Sequence, residues 1–354
     1  MSLVNNFRIL TSLKVLAARL QSKRHAIAWA SVLSLGLVAA CSQPSGLSSL
    51  HELHDRVTYT LDIELAPLTF SVRPPALPAP RMLKPVHAPT TMSFLTALQL
   101  NHCRAGQIIA ERNSSLGRLD DGLSRFYDDQ RLIEALLRCS QDPQSEAFSD
   151  ELVKAAQQLE EQTATRLARA IATDKGLRNV MTMASTPLTT ISDQDFSHSM
   201  EALNTVIAWL HNPRESTELT AALQVLAQQD YIPKLMRSVA EATALLDQFT
   251  PQLDDLAKHA GCLSKGTPER ARRLHQAFIT VFIKQTQADL ADLQRQYQRV
   301  SEAFNRLAAL VPQAELTDYL VHWTAYNTRL PDTTKAFVQP WQQFFETCGF
   351  QAGR

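Results

Sequence analysis

The chain lacks most of the patterns from which a reaction could be named. It has no GxSxG elbow to expose a serine nucleophile. None of the eight lysines after residue 40 has serine three positions before it, which excludes an SxxK nucleophile. His51-Glu52-Leu53-His54 holds the one histidine pair at helical spacing, without the HExxH order that puts two imidazoles and a base on zinc, and reads as solvated surface. Gly261 and Gly266 have P-loop spacing, but Thr267 stands where the phosphate-binding lysine would be, so this stretch reads as a loop. The cysteine spacings are unlike CxxC zinc or redox motifs, and neither a metal nor a cofactor is expected. No segment reads as a strand, and no repeat period stands out. Nor is there a net charge over the full chain, with 35 basic and 35 acidic residues.

An apolar run long enough to span a bilayer is also missing. The strongest one, Ala26 to Ala40, has only Ser31 and Ser34 as polar side chains and falls short of the roughly 20 residues a crossing helix needs. Lys23, Arg24 and His25 precede it and Val38-Ala39-Ala40-Cys41 ends it. That layout is a positive flank, an apolar core and small residues at a cut, which is the order of an export signal. The small-small-cysteine ending resembles a bacterial lipobox, which implies a diacylglycerol on Cys41, removal of residues 1–40 and acylation of the new amine. Several acyl chains, at about 0.8 kcal/mol per buried methylene, anchor durably where one does not. Ser42 rather than Asp after the cysteine implies the outer membrane by the sorting rule of such lipoproteins. Residues 1–22, with three basic and no acidic side chains, read as an extended leader or an early start codon.

Loss of residues 1–40 takes away five basic and no acidic residues. The remaining 314 carry 30 basic and 35 acidic side chains, a formal charge of −5. A mildly acidic body argues against a nucleic-acid partner. With Cys41 lipidated, Cys103, Cys139, Cys262 and Cys348 form an even set for an oxidising compartment. Of three possible connectivities we favour Cys103–Cys139 and Cys262–Cys348, because each pair brackets a consecutive helical block. In the entropic model each loop stabilises by roughly 3–5 kcal/mol.

The rest of the chain divides into a tether and first helix (41–66), a Pro-rich arm (67–91) and a helical body (92–354). Ser42 to Ser49 reads as a polar tether, and Leu50 to Leu65 as a helix. Seven prolines between Pro67 and Pro89 exclude a helix and nearly exclude a ladder strand. They suit a docking motif or a spacer of up to about 70 Å. We prefer an arm lying on the body through Phe70, Val72, Leu77, Met82 and Leu83. Helices are then expected from Ser93 to about Arg112, Leu123 to Cys139, Ser149 to about Ala172, Ser192 or Asp193 to Leu210, and from Ser216 and Pro233 onward. Residues 176–184 are ambiguous. Pro268 opens the longest element, a spine to about residue 310 that would span about 65 Å. Ile279, Ile283, Thr286, Leu290, Leu293, Tyr297, Val300, Phe304, Leu307 and Val311 mark its 4-3 seam. The seam suits a dimer or, as we prefer, packing against the 123–172 helices. Two aromatic-rich helices (315–328 and 333–347) close the chain.

Charged clusters add little. Adjacent acids at 120–121, 128–129, 160–161 and 254–255 suit helix starts and solvated faces, because helix neighbours point apart. Arg270, Arg272 and Arg273 suit a solvated face, with an anionic lipid or glycan as the rival partner. The one stretch that stands out runs from Glu111 through Arg112, Asn113, Ser114 and Ser115 to Gly117. It reads either as a polar recognition or catalytic loop or as a helix C-cap followed by the next N-cap, held by Asn113 and the serines.

ERNSSLG, with Cys103 before it, Cys139 after it and the lipobox, resembles an uncharacterised proteobacterial lipoprotein family, domain of unknown function 3080. The resemblance implies an envelope location and a helical body and brings no catalytic residue. The expected fold is all-α, an irregular multi-helix bundle with one long spine (about 268–310) and a Pro-rich extended arm. The expected function is an outer-membrane-anchored, periplasm-facing protein that binds an envelope protein or glycan or organises the envelope. The rivals are an enzyme acting on an envelope glycan or lipid, with Glu111, Arg112 and Asn113 as its candidates, and an apolar-ligand carrier.

Overall fold

The structure is a computed structural model that describes residues 46–70, 73–79, 82, 99–115, 117, 122–213, 216–262, 267–311, 314–325 and 328–350. The leader, Cys41, Val72, Leu83, Ser93, Asp120, Asp121 and Tyr326 lie outside them. Among the described residues every regular element is a helix. They are α1 (Gly46–Leu61), α2 (Arg104–Asn113), α3 (Gly122–Cys139), α4 (Ser149–Glu161), α5 (Thr163–Thr173), α6 (Lys175–Val180), α7 (Asp193–His211), α8 (Thr217–Gln228), α9 (Tyr231–Phe249) and α10 (Leu256–His259). The long spine follows as α11 (Glu269–Ala277), a π-helical segment (Phe278–Thr286) and α12 (Gln287–Leu310), and α13 (Ala314–Ala325) and α14 (Leu330–Cys348) end the chain.

Local chemistry sets many of these boundaries. Ser192 and Ser216 cap α7 and α8 by accepting from Asp195 N and Leu219 N. Pro233 sits in the first turn of α9, where its missing N–H costs nothing. Two expected helices are broken. The chain leaves helical geometry at Cys103 (φ −125°, ψ 163°), so a 3₁₀ turn, Leu100–His102, precedes α2. That turn folds onto Gly106, where a Cβ would lie 2.1 Å from Leu100 O, so the fold requires glycine there. The stretch after Ser149 divides at Gln162 into α4 and α5. The first helix begins at Gly46, so Gly46 to Ser49 belong to it rather than to the tether, and it ends at Leu61 rather than Leu65.

The spine corrects two expectations. Its seam from Thr286 to Val311 is buried, but Ile283 is 41 % exposed and Ile279 only partly buried. A π-helical segment turns its side chains by less per residue than an α-helix does, which brings Phe278, Val281 and Phe282 inward instead. The seam packs against α7, α9 and α13, and α1 covers α11 and the π segment, where the expectation was the 123–172 helices. At the α1 crossing the Ser49 and Thr286 hydroxyls meet at 2.6 Å, and Thr286 Oγ1 also lies 3.1 Å from Val281 O. Phe278, Phe282, Phe249, Phe337 and Trp341 interleave between the π segment, α9 and α14, with ring centroids 4.4–6.4 Å apart. Each such buried ring contributes roughly 1.5–3 kcal/mol. A polar chain ties α7, α9 and α12 together. Ser192 N donates to Tyr231 Oη, which donates to Gln296 Oε1, whose amide donates to Asp193.

The described part of the Pro-rich arm lies along α9. Gln248 of α9 and Gln252 of the 3₁₀ turn that follows it (Thr250–Leu253) stand in for a neighbouring strand. Ala66 N donates to Gln252 and Thr69 N to Gln248, and the Gln248 amide donates back to Thr69 O. Arg237 stacks on Phe70 at 3.8 Å, and Leu77 packs on the core. Met82 does not pack there, being 68 % exposed. His54 is not solvated surface either. It is buried, donates Nε2–H to Ala66 O at 3.0 Å and sits edge-on to Phe249, pinning the turn that leads into the arm.

The apolar interior divides in two. The large core joins α1 and α5–α14 with the first half of α3 through Leu123 and Phe126. A small satellite core gathers Leu100, Ala105 and Ile108 with Leu132, Ile133, Leu136 and Leu152, joining α2, α4 and the second half of α3. Cys103 is bonded to Cys139 beside the satellite core, and Cys262 to Cys348 closes the far end of the spine region, with Cα atoms 5.8 and 5.1 Å apart. These are the two pairs that bracket consecutive helical blocks.

Candidate functional site

The ERNSSLG stretch lies where the two cores meet. α2 ends at Asn113, and its last turn is closed by Ser114 rather than by Asn113. The Ser114 backbone N–H donates to Ala110 O and Glu111 O, and its hydroxyl donates to Glu111 O at 2.7 Å. The same hydroxyl accepts from Gly117 N at 3.0 Å, which turns the chain back on the helix end. A Cβ on Gly117 would lie 2.1 Å from Glu111 O, so only glycine fits that return.

Arg112 points inward from this turn. Its side chain is 12 % exposed, and Nη2 lies 2.5 Å from Asp129 Oδ1. That approach is close but off the hydrogen-bond direction, since Oδ1 has no aligned donor. Arg166 of α5 donates from Nη1 to the other oxygen, Oδ2, at 2.9 Å and from Nη2 to Gln162 at 3.0 Å. The break at Gln162 therefore supplies an acceptor for the same guanidinium. Asp129, expected on a solvated face, is instead 3 % exposed, on α3 between Phe126 of the large core and Leu132 of the satellite. Arg125 is near enough to add to the positive field and donates to Gly117 O at 3.4 Å. Burial pushes the Arg112 guanidinium below its ordinary range. Asp129 opposes that shift, and Arg125 and Arg166 add to it. Arg112 Nη1 and Arg166 Nε are buried without a hydrogen-bond partner, a cost the cluster carries at the junction.

The loop thus has two parts. Arg112, Ser114 and Gly117 hold it in place, while Glu111, Asn113 and Ser115 are exposed, as is Ser114 itself. Glu111 is only loosely paired, 3.8 Å from Arg104. The arginines at the start of the spine are on a solvated face: Arg272 and Arg273 both pair with Glu269, and all three side chains are more than half exposed.

A second cluster was not apparent from spacing. His102 precedes Cys103, and the fold brings both to Cys139 at the end of α3 and to Ser145 in the 3₁₀ turn Pro143–Phe148. The nitrogen and sulfur ligand atoms of His102, Cys103 and Cys139 lie within 4.8 Å of one another, the separation of a metal-ligand set. The sulfurs, however, are joined to each other, and a disulfide sulfur is not the thiolate a metal needs. A signal was present in the adjacency of His102 and Cys103, but only the return of the chain through Asp142-Pro143 places Ser145 against them.

No described helix is long and apolar enough to cross a membrane. No curated protein and no solved structure matches the chain. Residues 50–352 match the family described as protein of unknown function DUF3080, a span that takes in the ERNSSLG turn, the buried Arg112–Asp129–Arg166 cluster and both disulfides, and the chain belongs to that family.

Proposed function

We propose that the protein is a lipid-anchored, periplasm-facing protein of the outer membrane that acts by binding an envelope protein or glycan through the outer side of the ERNSSLG loop. Support for the anchor comes from the sequence of residues 23–42. It also comes from the pairing of every described cysteine in a disulfide, which suits an oxidising compartment. Support for binding rests on one observation. A stretch rich in polar side chains is anchored from within by Arg112, closed locally by Ser114 and Gly117, and leaves Glu111, Asn113, Ser114 and Ser115 exposed to solvent. Holding polar groups in one conformation before a partner arrives lowers the ordering cost of association.

The anchor is tested by Cys41→Ala, which should abolish labelling by palmitate and release the protein from the membrane fraction. Labelling that persists would refute it. The recognition face is tested by the triple variant Glu111→Ala, Asn113→Ala, Ser115→Ala with in-cell crosslinking of the tagged protein. Exposed substitutions of this kind should each move stability by no more than about 0.5 kcal/mol. Loss of the crosslinked species at unchanged stability is expected. An unchanged crosslinking pattern would remove the loop from the binding surface.

A further inference from the structure

Beside the satellite core, the surroundings of one disulfide differ from those of the other. His102 Nδ1 lies 2.9 Å from Gln99 O. A carbonyl can only accept, so Nδ1 carries the hydrogen and the neutral ring presents a lone pair at Nε2. Nε2 accepts from Ser145 Oγ at 3.0 Å and lies 4.0 Å from Cys139 Sγ, while Ser145 Oγ is itself 3.5 Å from that sulfur. Ser145 is fully buried and Cys139 is 2 % exposed, whereas Cys103 is only partly buried. One sulfur is therefore open to attack, and the other leaves next to a hydroxyl and an imidazole. Cys103 is also the N-cap of α2, where no side chain caps the helix. Its Sγ lies 3.5 Å from Leu100 O. At the second disulfide the described polar contact is from Thr267 Oγ1 to the Cys348 carbonyl, and it does not involve a sulfur.

We propose that Cys103–Cys139 is a redox-active pair that exchanges with an external dithiol, with His102 as its acid–base group. A thiol of the dithiol gives its proton to the Nε2 lone pair of His102 and attacks Cys103 Sγ as the thiolate, and the Sγ–Sγ bond breaks with its electron pair on Cys139. Cys139 takes a proton from His102, directly or through the Ser145 hydroxyl. The second thiol of the reagent, deprotonated by His102 or solvent, then attacks its own sulfur in the mixed disulfide and releases Cys103 as a thiolate, which takes up that second proton. Two electrons and two protons pass to the protein, and the dithiol becomes a cyclic disulfide. A monothiol stalls at the mixed disulfide, because the buried Cys139 thiol lies within reach of Cys103 and recloses the bond.

The test uses the full mature chain in a dithiothreitol series, with thiol trapping and mass-spectrometric assignment of each cysteine, and glutathione at matched thiol concentration as the monothiol arm. Cys103–Cys139 should open at a dithiothreitol concentration at least about tenfold below that for Cys262–Cys348, a difference of about 30 mV for a two-electron couple. Glutathione should leave it largely closed. His102→Ala should slow opening of Cys103–Cys139 by tenfold or more, and Ser145→Ala by less, while Cys262–Cys348 in the same molecules reports that the rest of the fold is intact. Opening of both disulfides together would overturn the proposal. So would a His102→Ala protein, folded by circular dichroism, that opens at the wild-type rate.

Discussion

Asp129→Asn tests whether the junction between the two cores rests on one carboxylate. The substitution keeps shape and one acceptor oxygen, turns the other into an NH₂ donor, and removes the charge that Arg112 and Arg166 share at 2.5 and 2.9 Å. The two guanidiniums stay, with 12 % and 25 % of their side chains exposed, and no other described carboxylate pairs with either. Removing one partner of a buried ion pair costs about 3–5 kcal/mol, chiefly because the remaining charge is left buried and unpaired. Against a total stability on the order of 5–15 kcal/mol this is about a fifth or more of the whole. With a urea m value of about 3 kcal/mol/M, the equilibrium midpoint should fall by roughly 1–1.7 M. Arg112→Met should cost less, because Asp129 keeps Arg166. Replacing all three with apolar residues of similar volume should be near neutral. Added salt should rescue little, since buried pairs are poorly screened. A shift of less than about 0.5 kcal/mol for Asp129→Asn, or a larger loss for Arg112→Met than for Asp129→Asn, would show that the junction does not rest on this carboxylate.

Three further outcomes follow from the packing. Gly106→Ala should destabilise by about 1–3 kcal/mol despite alanine's better helix propensity, because the added Cβ meets Leu100 O; thermal unfolding of the variant checks it. His54→Ala removes the donor to Ala66 O and the edge contact with Phe249, and should cost about 1–3 kcal/mol in urea unfolding. His275 stacks on Phe350 at 4.3 Å, and burial lowers its proton affinity in the folded chain. The unfolded chain therefore takes up the proton more readily as pH falls. The stabilising contribution is complete above an unfolded value of about 6.5 and is lost as pH drops below it. Urea midpoints at pH 7.5 and pH 5 should differ more in the wild type than in His275→Phe, and equal differences would refute the assignment.

Features carried by local chemistry were legible in the sequence. Ser192, Ser216 and Pro233 mark helix starts through hydrogen bonds and a missing N–H that involve only near neighbours. The spine could be read from its period wherever that period stayed α-helical, and it failed at Ile279 and Ile283, where the π segment changes the turn per residue. Long-range partners were out of reach. Nothing near Asp129 in sequence announces Arg166, 37 residues away, so a carboxylate next to Asp128 looked like surface. His54 misled for the same reason, because its partner Phe249 lies far along the chain. The ERNSSLG stretch was conspicuous, but its division into a clamped inner side and a displayed outer side depends on Asp129 and cannot be read from composition.

That division gives the two-core arrangement a consequence for function. α3 runs through both cores, with Phe126 in the large one and Leu132 in the satellite, and Asp129 sits between them. Had position 129 been apolar, the cores could have merged and the end of α2 would have had no charged anchor. With a carboxylate there, Arg112 from α2 and Arg166 from α5 must converge on it, and the turn after Asn113 is held against α3 by the residue just before it. The Cys103–Cys139 bond fixes the other end of the same α2–α3 pair. The displayed face of the loop is therefore held at two points on one helix pair, an ion cluster at the C-terminal end of α2 and a disulfide at its N-terminal end. Opening the disulfide should leave the loop's own turn intact, since Ser114 and Gly117 close it locally, while loosening α2 at Cys103. In hydrogen exchange, reduction of that pair should raise exchange in residues 100–108 before it does so around Glu111, and uniform loss of protection across α2 would show that the two points act as one.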